Sequence, residues 1–388
     1  MRVLHVIPSV AARFGGPSRA VRGMCNALAA EGVETLIATT DADGAGRLDV
    51  PKRAITSFNG IPTIFFPGYP SAGFGYAPGL ARWLSSGVRR ADVVHIHGVF
   101  AHSSLAAAAA CRRAGIPYIV RPFGSLDPWS LSRRRMEKRL LWWLGVRQML
   151  DGAAAVHFTS VGEQRAAGRL LRVNLGKVVP LGVDEPLDDI HSLSEGFQHK
   201  SRGPYVIALS RIHPKKGLEL LIAAFVEATS RPGLGHWRLV IAGDGDSTYL
   251  AELQRHVARL QAKNRVTFPG WLDEAPKWSA LQGAALFALP SYQENFCLAA
   301  VEAMACGVPV LVSDRMDLAD EIQTAGAGWV TLLSSHAMAQ KLAAALSSAD
   351  DRATRGAAGR QLVLARYTWP KVAAQLLALY GVAVGSTA

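Results

Sequence analysis

The chain has 388 residues, 49% of them hydrophobic and 19% charged, which fits a globular protein large enough for two domains. No apolar run reaches the roughly 18 residues that a membrane span needs. The apolar start is interrupted by His5 and ends at Pro8, so it predicts a buried strand and not a signal peptide. The cysteines lack metal-ligand spacing and predict reduced core thiols of a cytosolic protein.

The positive charge is concentrated in the first half of the chain. Residues 1–182 hold 23 Lys and Arg against 10 Asp and Glu, a net charge of +13, whereas the remaining residues hold 19 against 20, a net charge of −1. This excess predicts an anionic partner, either a phospholipid headgroup layer or a lipid-diphosphate acceptor. We expect no nucleic acid, because neither zinc-finger spacing nor an aromatic RNA-binding signature is present.

Apolar runs alternate with helical stretches along the first half. Strands are predicted at residues 3–7, 34–38, 62–66, 92–96, 117–120, 154–158 and 177–179. A double glycine, Gly15 and Gly16, follows the first strand and lets the backbone approach a ligand closely. An ordinary turn between strand and helix is the alternative for these glycines.

A polar segment without hydrophobic periodicity separates this half from the next. Strands follow at residues 205–209, 237–242, 265–268, 284–289, 309–312 and 328–330, and a last helix is predicted at 369–380. The pattern predicts an α/β fold with two Rossmann-like domains, each a parallel sheet with helices on both faces, and a ligand cleft between their carboxyl edges. We predict domains at 1–182 and 204–365, a linker at 183–203 and a C-terminal segment at 366–388.

Two histidines of the first half are candidate ligands. His97 lies at the carboxyl end of a predicted strand, and His102 lies just beyond it. For each of them a satisfied structural role is equally compatible with the sequence.

A basic and aromatic segment spans residues 131–144. Its cations and tryptophans are Arg133, Arg134, Arg135, Lys138, Arg139, Trp142 and Trp143. Basic amphipathic helices with tryptophan are typical of membrane interfaces. The alternative is that the leucines and tryptophans lie in the core while the cations are solvated.

A cationic loop follows the first strand of the second half. Arg211 offers a planar fork suited to phosphate, and Lys216 adds a point charge at the start of a helix, whose free N–H groups attract anions. Together they can neutralise a diphosphate without a metal, although a solvated basic helix start is the alternative. Gly243 lies in a later glycine turn, next to one of two Asp-x-Asp spacings that are too common to predict a metal site.

The most specific pattern is residues 291–312. Glu294 lies in a loop before a predicted helix, and Glu302 is expected two turns along it, so the two carboxylates can lie on nearby faces. The flanking apolar runs predict buried strands, which places Glu294 at a strand-to-helix junction where open α/β sheets bind ligands.

This string, with Arg211 and Lys216 ahead of it, resembles the signature of retaining nucleotide-sugar glycosyltransferases of family 4, of bacterial surface-polysaccharide type. The resemblance implies the two-domain B fold (GT-B), whose C-terminal helix crosses back to the first domain. It also implies transfer of a hexose from a UDP- or GDP-linked donor to a hydroxyl of a glycan or lipid-linked acceptor, with no metal and no cofactor. The expected location is cytoplasmic and peripheral, on the inner face of the cell membrane.

The resemblance also assigns roles to residues. It implies that Arg211 and Lys216 bind the donor diphosphate, that Glu302 binds the ribose and that Glu294 binds the donor sugar. The remaining donor-side candidates are backbone groups and glycines around Gly15, Gly16, Gly243, Asn295, Phe296 and Cys297. On the acceptor side, Asp127 lies in a loop that resembles those of surface-polysaccharide members.

Two positions depart from the family pattern. Cys297 stands where members commonly carry glycine, and Arg121 ends a strand where several relatives carry a histidine. Arg121 or backbone groups would then contact the acceptor. Two alternatives stay open: a sugar-nucleotide binding module that has lost catalysis, and a nucleotide-sugar epimerase on the same fold.

Overall fold

The computed structural model describes residues 1–69, 74–168, 170–171, 175–186 and 203–385. They form two compact units, Met1–Gly182 together with the C-terminal helix, and Val183–Thr368. The predicted linker covered residues 183–203, of which 187–202 lie outside the described residues, as do 386–388.

The first unit is built on a mixed sheet. Its described strands are β1 (Arg2–Ser9), β2 (Glu34–Thr40), β3 (Ala42–Asp43), β4 (Gly46–Arg47), β5 (Ile55–Phe58), β6 (Ile61–Phe66), β7 (Val93–His97), β8 (Tyr118–Arg121), β9 (Ala155–Phe158) and β10 (Gly176–Val178). The sheet order is β10-β9-β8-β7-β1-β2-β6-β5, and β3 pairs with β4 in a separate hairpin. All seven strands predicted for this half are confirmed.

The expectation of a fully parallel sheet is wrong at one edge. Strand β5 runs antiparallel to β6, and the two are joined by Asn59 and Gly60, both in the left-handed region with φ of 51° and 82°. An Asn-Gly pair between two short strands is the usual signal for such a hairpin. Strand β5 was not predicted, because its residues alternate between exposed and half-buried and form no apolar run.

Helices cover both faces of this sheet. They are α1 (Gly16–Ala30), α2 (Pro78–Gly87), α3 (His102–Ala114), α4 (Pro128–Ser132), α5 (Arg135–Leu141), α6 (Arg147–Asp151) and α7 (Val161–Ala167), with short 3-10 turns at Ala12–Phe14 and Val88–Arg90 and a π-helical turn at Trp142–Val146. Prolines lie in the first turn of α1, α2 and α4, where a missing N–H costs nothing.

The second unit has a fully parallel sheet. Its strands are β11 (Tyr205–Leu209), β12 (Arg238–Ala242), β13 (Val266–Gly270), β14 (Leu286–Leu289), β15 (Val310–Ser313) and β16 (Gly328–Thr331), in the order β13-β12-β11-β14-β15-β16. Its helices are α8 (Leu218–Thr229), α9 (Ser247–Arg259), α10 (Glu274–Gln282), α11 (Leu298–Ala305), α12 (Ala319–Thr324), α13 (Ser335–Ser347) and α14 (Ala349–Arg366), and a 3-10 turn spans Pro214–Lys216. All six strands predicted for this half are confirmed.

The C-terminal helix, α15 (Trp369–Gly385), returns to the first unit as expected. Its buried face, which includes Leu376 and Tyr380, packs with Met24 and Leu28 of α1. The indole of Trp369 fits only because Gly23 lacks a side chain, since a Cβ there would lie 1.8 Å from the ring. Within the described residues, every helix is too short or too polar to cross a bilayer.

Each sheet has a switch point, where the order of strands reverses direction. In the first unit the chain moves from β1 through β2 to β6 and then returns to β7, on the other side of β1. In the second unit it moves from β11 to β13 and returns to β14, on the other side of β11. Ligands of open α/β sheets bind at the carboxyl ends of the strands that flank such a point.

Candidate active site

The loop after β11 lies at the switch point of the second unit. It contains the 3-10 turn Pro214–Lys216, and α8 begins at Leu218. Between them Gly217 adopts φ 63°, and a Cβ at this position would lie 2.3 Å from the carbonyl oxygen of Pro290. Glycine is therefore required for this loop to pack against the loop after β14.

An ion pair joins the same two loops. The ammonium of Lys216 contacts the carboxylate of Glu294, and both side chains are largely buried. Burial raises the pKa of Glu294, but the charges of Lys216, Lys215 and Arg211 outweigh burial and bring the pKa below its usual value. Glu294 is therefore ionised. The structure thus brings together three predicted residues, Arg211, Lys216 and Glu294, and leaves Arg211 exposed to solvent.

The two glutamates are arranged differently from the prediction. Glu294 lies in an extended segment that pairs with Met316, and α11 begins only at Leu298. Glu302 is consequently about one turn into the helix, and not two turns as predicted. Each of the two carboxylates forms an ion pair with a different lysine.

The partner of Glu302 was not predicted from the sequence. The ammonium of Lys277, on α10, donates to Glu302 at 2.9 Å, and the two residues are 3% and 2% exposed. Lys277 also lies 3.1 Å from Glu274, three residues earlier. In the sequence this spacing resembles an ordinary surface pair on a helix, so nothing in it indicates a buried lysine.

The segment between the two glutamates turns its side chains inward. Phe296 is 8% exposed and packs edge-on against Tyr367, with ring centroids 5.5 Å apart. Cys297 is also buried, and burial raises the pKa of its thiol to about 12, so the thiol stays protonated. The ligand groups that Phe296 and Cys297 offer at this loop are therefore mainly backbone amides, whereas Asn295 is half-buried and also offers its side-chain amide.

The glycine turn after β12 has a packing role. Gly243 has φ 141°, and a Cβ there would lie 1.8 Å from the carbonyl oxygen of Ser210, so this turn fits against the cationic loop only as glycine. Asp246 accepts from the N–H of Tyr249 at 3.0 Å and caps α9. In the first unit the buried Asp41 accepts from the N–H of Gly68 at 2.8 Å. Residues of both Asp-x-Asp spacings thus have structural partners.

The double glycine of the first unit is not required by packing. Gly15 has φ 65°, which favours glycine, and Gly16 begins α1. A Cβ built at either position meets no heavy atom of the described residues within 4 Å. The loop after β1 therefore borders open space at the switch point, as the predicted donor contact requires.

Direct acceptor contacts predicted for three residues are wrong for this conformation. His97 and Arg121 are fully buried, and Asp127 is 1% exposed. His97 and Arg121 lie inside the unit because β7 and β8 are interior strands, whose side chains are covered on both faces. Asp127 lies at the start of α4. His102 is half-buried, accepts from the N–H of Ala77 at 3.3 Å, and has its pKa lowered by burial.

Of these buried residues, His97 belongs to a polar network that lies against α15. We call His5, His95, His97 and His157 the histidine cluster, and all four are fully buried. The hydroxyl of Tyr380 donates to His95 at 2.8 Å, His95 donates to His157 at 3.2 Å, and His157 donates to the carbonyl of Val179 at 2.8 Å. This relay is satisfied when each imidazole is neutral.

Three nitrogens of the cluster have the spacing of metal ligands. Ring nitrogens of His5, His95 and His97 lie within 4.8 Å of one another. However, His95 uses both nitrogens in the relay. Burial lowers the pKa values of the three imidazoles, and the charge of Arg121 lowers them further. A fixed positive charge also disfavours a metal cation. We therefore assign no metal to the histidine cluster.

The basic segment divides into an inward and an outward side. Trp142 packs against the core, and the ammonium of Lys138 donates to the carbonyl of Ser130 and lies 5.3 Å from the ring centroid of Phe100. Trp142 and Lys138 were predicted to face a membrane, but both side chains instead contact the protein. The exposed side carries four arginines and four apolar residues: Arg133, Arg134, Arg135, Arg139, Met136, Leu140, Trp143 and Leu144. We call these eight residues the basic-apolar surface.

Comparison with known proteins identifies both halves of the chain. The family "Glycosyl transferase 4-like domain" matches residues 15–183, and the family "Glycosyl transferases group 1" matches residues 189–362. The chain is similar to a GDP-mannose:cellobiosyl-diphosphopolyprenol alpha-mannosyltransferase of Xanthomonas oryzae, with 25% identity over 99% of this chain and 98% of that protein.

Phosphatidyl-myo-inositol mannosyltransferases are further relatives. The protein from Propionibacterium freudenreichii is 28% identical over 99% of this chain and 95% of its own length. The protein from Mycobacterium tuberculosis is 32% identical over 218 residues, which are 54% of this chain and 55% of that protein. For that relative, the chain therefore matches only about half of its length.

Solved structures agree on the fold. HepE from Anabaena, in complex with UDP and glucose, superposes with a TM-score of 0.79 over 98% of this chain and 99% of its own, at 21% identity. This likeness shows the GT-B fold. Because two family models together match nearly the whole chain and full-length relatives align with it, the chain belongs to family 4 of the glycosyltransferases.

Proposed function

We propose that the protein is a retaining hexosyltransferase, which moves a hexose from a nucleoside-diphosphate sugar to a hydroxyl of a glycan or lipid-linked acceptor in polysaccharide or glycolipid assembly. The observation that carries the proposal is the convergence of Arg211, Lys216 and Glu294 at the switch point of the second unit. Cations at this point suit a diphosphate, and an ionised carboxylate beside them suits the hydroxyls of a sugar.

The cations would act on the leaving group. As the bond to the sugar breaks, negative charge builds on the diphosphate, and Arg211 and Lys216 would stabilise it there. Glu294 holds the Lys216 ammonium at the loop and could itself accept a hydrogen bond from the donor sugar. Lys277 would orient the carboxylate of Glu302 toward the ribose, because it already holds one oxygen of that carboxylate.

Relatives support a hexose donor linked to GDP or UDP. All three of these relatives are mannosyltransferases by name, one of them is named for GDP-mannose, and the HepE structure contains UDP and glucose. We take GDP-mannose as the first donor to test and UDP-glucose as the second. Either would meet the same diphosphate-binding loop.

We also propose that no metal takes part. The cationic loop contains Arg211, Lys215 and Lys216, which can supply the positive charge that a divalent ion supplies elsewhere. The carboxylates of Asp41 and Asp246 already accept hydrogen bonds within the protein.

Acceptor binding falls to the first unit in this proposal. Since His97, Arg121 and Asp127 are buried, the half-exposed residues 123–125 at the carboxyl end of β8 are the better candidates. Their backbone groups and the hydroxyl of Ser125 could contact an acceptor hydroxyl.

The transfer reaction has a direct test. Wild-type protein should release GDP or UDP from one of the two donors, and mass spectrometry should find one added hexose when phosphatidylinositol vesicles or a cellobiosyl-diphosphate lipid are supplied. Arg211→Ala and Lys216→Ala should each lower turnover by at least about 100-fold, as expected for loss of leaving-group stabilisation. EDTA should have little effect.

The alternatives predict other results. A module that has lost catalysis would bind GDP or UDP but release no hexose, and an epimerase would return an isomerised nucleotide sugar without transfer. Loss of activity in EDTA with recovery in Mg²⁺ would contradict the metal-free proposal. An inverted anomeric configuration in the product would contradict retention.

We further infer that the basic-apolar surface docks on an anionic leaflet, at the cytoplasmic face of the membrane. Its arginines flank exposed Trp143 and Leu144, each 69% exposed, an arrangement that suits a headgroup layer above and acyl chains below. Each cation near such a leaflet contributes about 1 kcal/mol, so four contribute about 4 kcal/mol. The surface lies on the unit with the net charge of +13.

A flotation assay tests this docking. Binding to phosphatidylglycerol vesicles should exceed binding to phosphatidylcholine vesicles and should fall with added salt. Changing Arg133, Arg134, Arg135 and Arg139 to glutamine should release the protein, whereas changing the exposed Arg89 and Arg90 of the same unit should not. Equal binding to both vesicle types, or equal release by both variants, would refute the assignment.

A further inference from the structure

The loop that follows β8 has an unusual backbone. Phe123 and Gly124 are consecutive residues in the left-handed region, with φ of 54° and 71°. A bulky residue at positive φ is uncommon and persists only when its surroundings hold it. Something outside the loop must therefore fix residues 122–125 in this shape.

The carboxylate of Glu163 holds this loop in its shape. One oxygen accepts from the N–H of Gly124 at 2.6 Å, and the other accepts from the N–H and the hydroxyl of Thr159, both at 2.8 Å. Glu163 is 1% exposed, so these hydrogen bonds are shielded from water. Hydrogen bonds donated to a buried carboxylate are among the stronger ones in proteins.

A second support comes from beneath the loop. The guanidinium of Arg121 lies 4.2 Å from the ring centroid of Phe123, and Arg121 is fully buried. Its Nε and one of its terminal nitrogens have no hydrogen-bond partner within the described ranges. Burial lowers the pKa of Arg121 to about 10, and the charge of Glu163 opposes part of this lowering.

We propose that Glu163 is a positioning residue, which holds residues 122–125 in the conformation that receives the acceptor. The inference rests on the proposed function, because that loop is the candidate acceptor surface. Glu163 also lies in the first turn of α7, where its N–H donates to the hydroxyl of Ser160 at 2.9 Å. Positioning of the loop is thus a second role for Glu163, in addition to its place at the start of this helix. In the sequence, Ser160 and Glu163 look only like a capping box.

The chain offers a matched control. Ser160→Ala removes a hydrogen bond at the same helix start but leaves the contact between Glu163 and Gly124. Glu163→Gln keeps the size of the side chain and places an amide where three donors need acceptors. A residue that only caps the helix would give the two variants the same behaviour.

Hydrogen–deuterium exchange on the full chain provides a readout that does not depend on activity. The amides of residues 123–125 should exchange at least about 10-fold faster in Glu163→Gln, as expected for loss of a charge-assisted hydrogen bond. Ser160→Ala should leave their exchange unchanged. Unchanged exchange in Glu163→Gln, or equal acceleration in both variants, would overturn the proposal.

Kinetics then tests the link to the acceptor. In Glu163→Gln, kcat/KM for the acceptor that wild type uses should fall by about 10- to 100-fold, the range expected for a displaced binding loop. Hydrolysis of the donor by water, and GDP or UDP binding, should stay at wild-type levels because they depend on the second unit. A transfer rate unchanged despite a mobile loop would overturn the role of the loop. Wild-type protein without any transfer would instead contradict the proposed function itself.

If Glu163→Gln does not fold, Glu163→Asp takes its place. The shorter carboxylate keeps its charge but cannot reach both Thr159 and Gly124, so it should show the same pattern to a smaller degree. Normal acceptor kinetics in Glu163→Asp, with faster exchange in the loop, would also overturn the proposal.

Discussion

Mild acid should destabilise the first unit, because the histidine cluster is buried in its neutral form. Burial, with the charge of Arg121, lowers the pKa of His5 to about 3. Burial likewise holds the pKa values of His95, His97 and His157 well below the usual range, and the charge of Arg121 adds to this effect.

The sign of the effect follows from the direction of these shifts. An unfolded histidine has a pKa of about 6.5, so on acidification the unfolded chain binds protons that the folded unit excludes. The stability that the cluster contributes is therefore complete above about pH 6.5 and is lost as the pH falls below that value towards the folded pKa values.

The magnitude is large for a single domain. Below pH 6.5 each imidazole that stays neutral in the folded unit lowers the free energy of unfolding by about 1.4 kcal/mol per pH unit. Over the whole interval from pH 7 to pH 5.5 the loss is about 1.2 kcal/mol for each imidazole. Four such residues lose about 5 kcal/mol, which is comparable to the 5–15 kcal/mol that stabilises a typical protein. The first unit should therefore be clearly less stable at about pH 5.5 than at about pH 7.

Other groups around the cluster do not cancel this loss. Burial raises the pKa values of Tyr380 from α15 and Cys25 from α1, so both stay neutral in this range. Arg121 from β8 has its pKa lowered by burial to about 10 and stays charged. Between pH 7 and pH 5.5 the histidines are thus the titrating members of this network.

Urea unfolding at several pH values, with hydrogen exchange to separate the two units, measures the effect. The His95→Gln variant should reduce the pH slope of the first unit by about 1.4 kcal/mol per pH unit. The matched control His236→Gln, at an exposed position of the second unit, should not change it. A first unit equally stable at pH 7 and pH 5.5, or the same slope in His95→Gln as in wild type, would refute the reasoning.

Two further predictions concern the second unit. Lys277→Met leaves the buried Glu302 without its lysine, so we expect a loss of about 3–5 kcal/mol and a Tm lower by roughly 6–20 °C, together with weaker GDP or UDP binding in calorimetry. An unchanged Tm would mean that this ion pair contributes little. Gly217→Ala should abolish turnover, because the added Cβ would meet the Pro290 carbonyl at 2.3 Å. The control Gly307→Ala, also at positive φ but facing open space, should cost only about 1–2 kcal/mol and keep turnover.

The strands could be predicted well from the sequence because a buried strand requires a run of apolar residues. The thirteen strands predicted from such runs are present. Strand β5, which has alternating exposure, was not predicted, although Asn59 and Gly60 are a typical signal for the turn that follows it. The strand order could not be read from the runs, because it depends on which strands meet across the fold.

The candidate site was predictable where local sequence determines it. Arg211, Lys216 and Glu294 lie on loops that directly follow β11 and β14, and parallel strands bring their carboxyl ends to one edge. Lys277 was not predictable, because its burial depends on how α10 packs against α11. The same limit explains the wrong acceptor assignments: His97 and Arg121 end strands, but tertiary packing buries both side chains completely.

The two units bury different titratable groups, paired carboxylates in one and neutral imidazoles in the other. This difference has a consequence for activity. In the second unit the carboxylates of Glu294 and Glu302 are each paired with a lysine. Burial raises the pKa of Glu294, but the charges of Lys216 and the neighbouring cations outweigh burial, so this carboxylate stays ionised in mild acid. In the first unit, four imidazoles are stable only while they are neutral. Acid should therefore abolish sugar transfer, which needs both units, at a higher pH than it abolishes binding of GDP or UDP to the second unit.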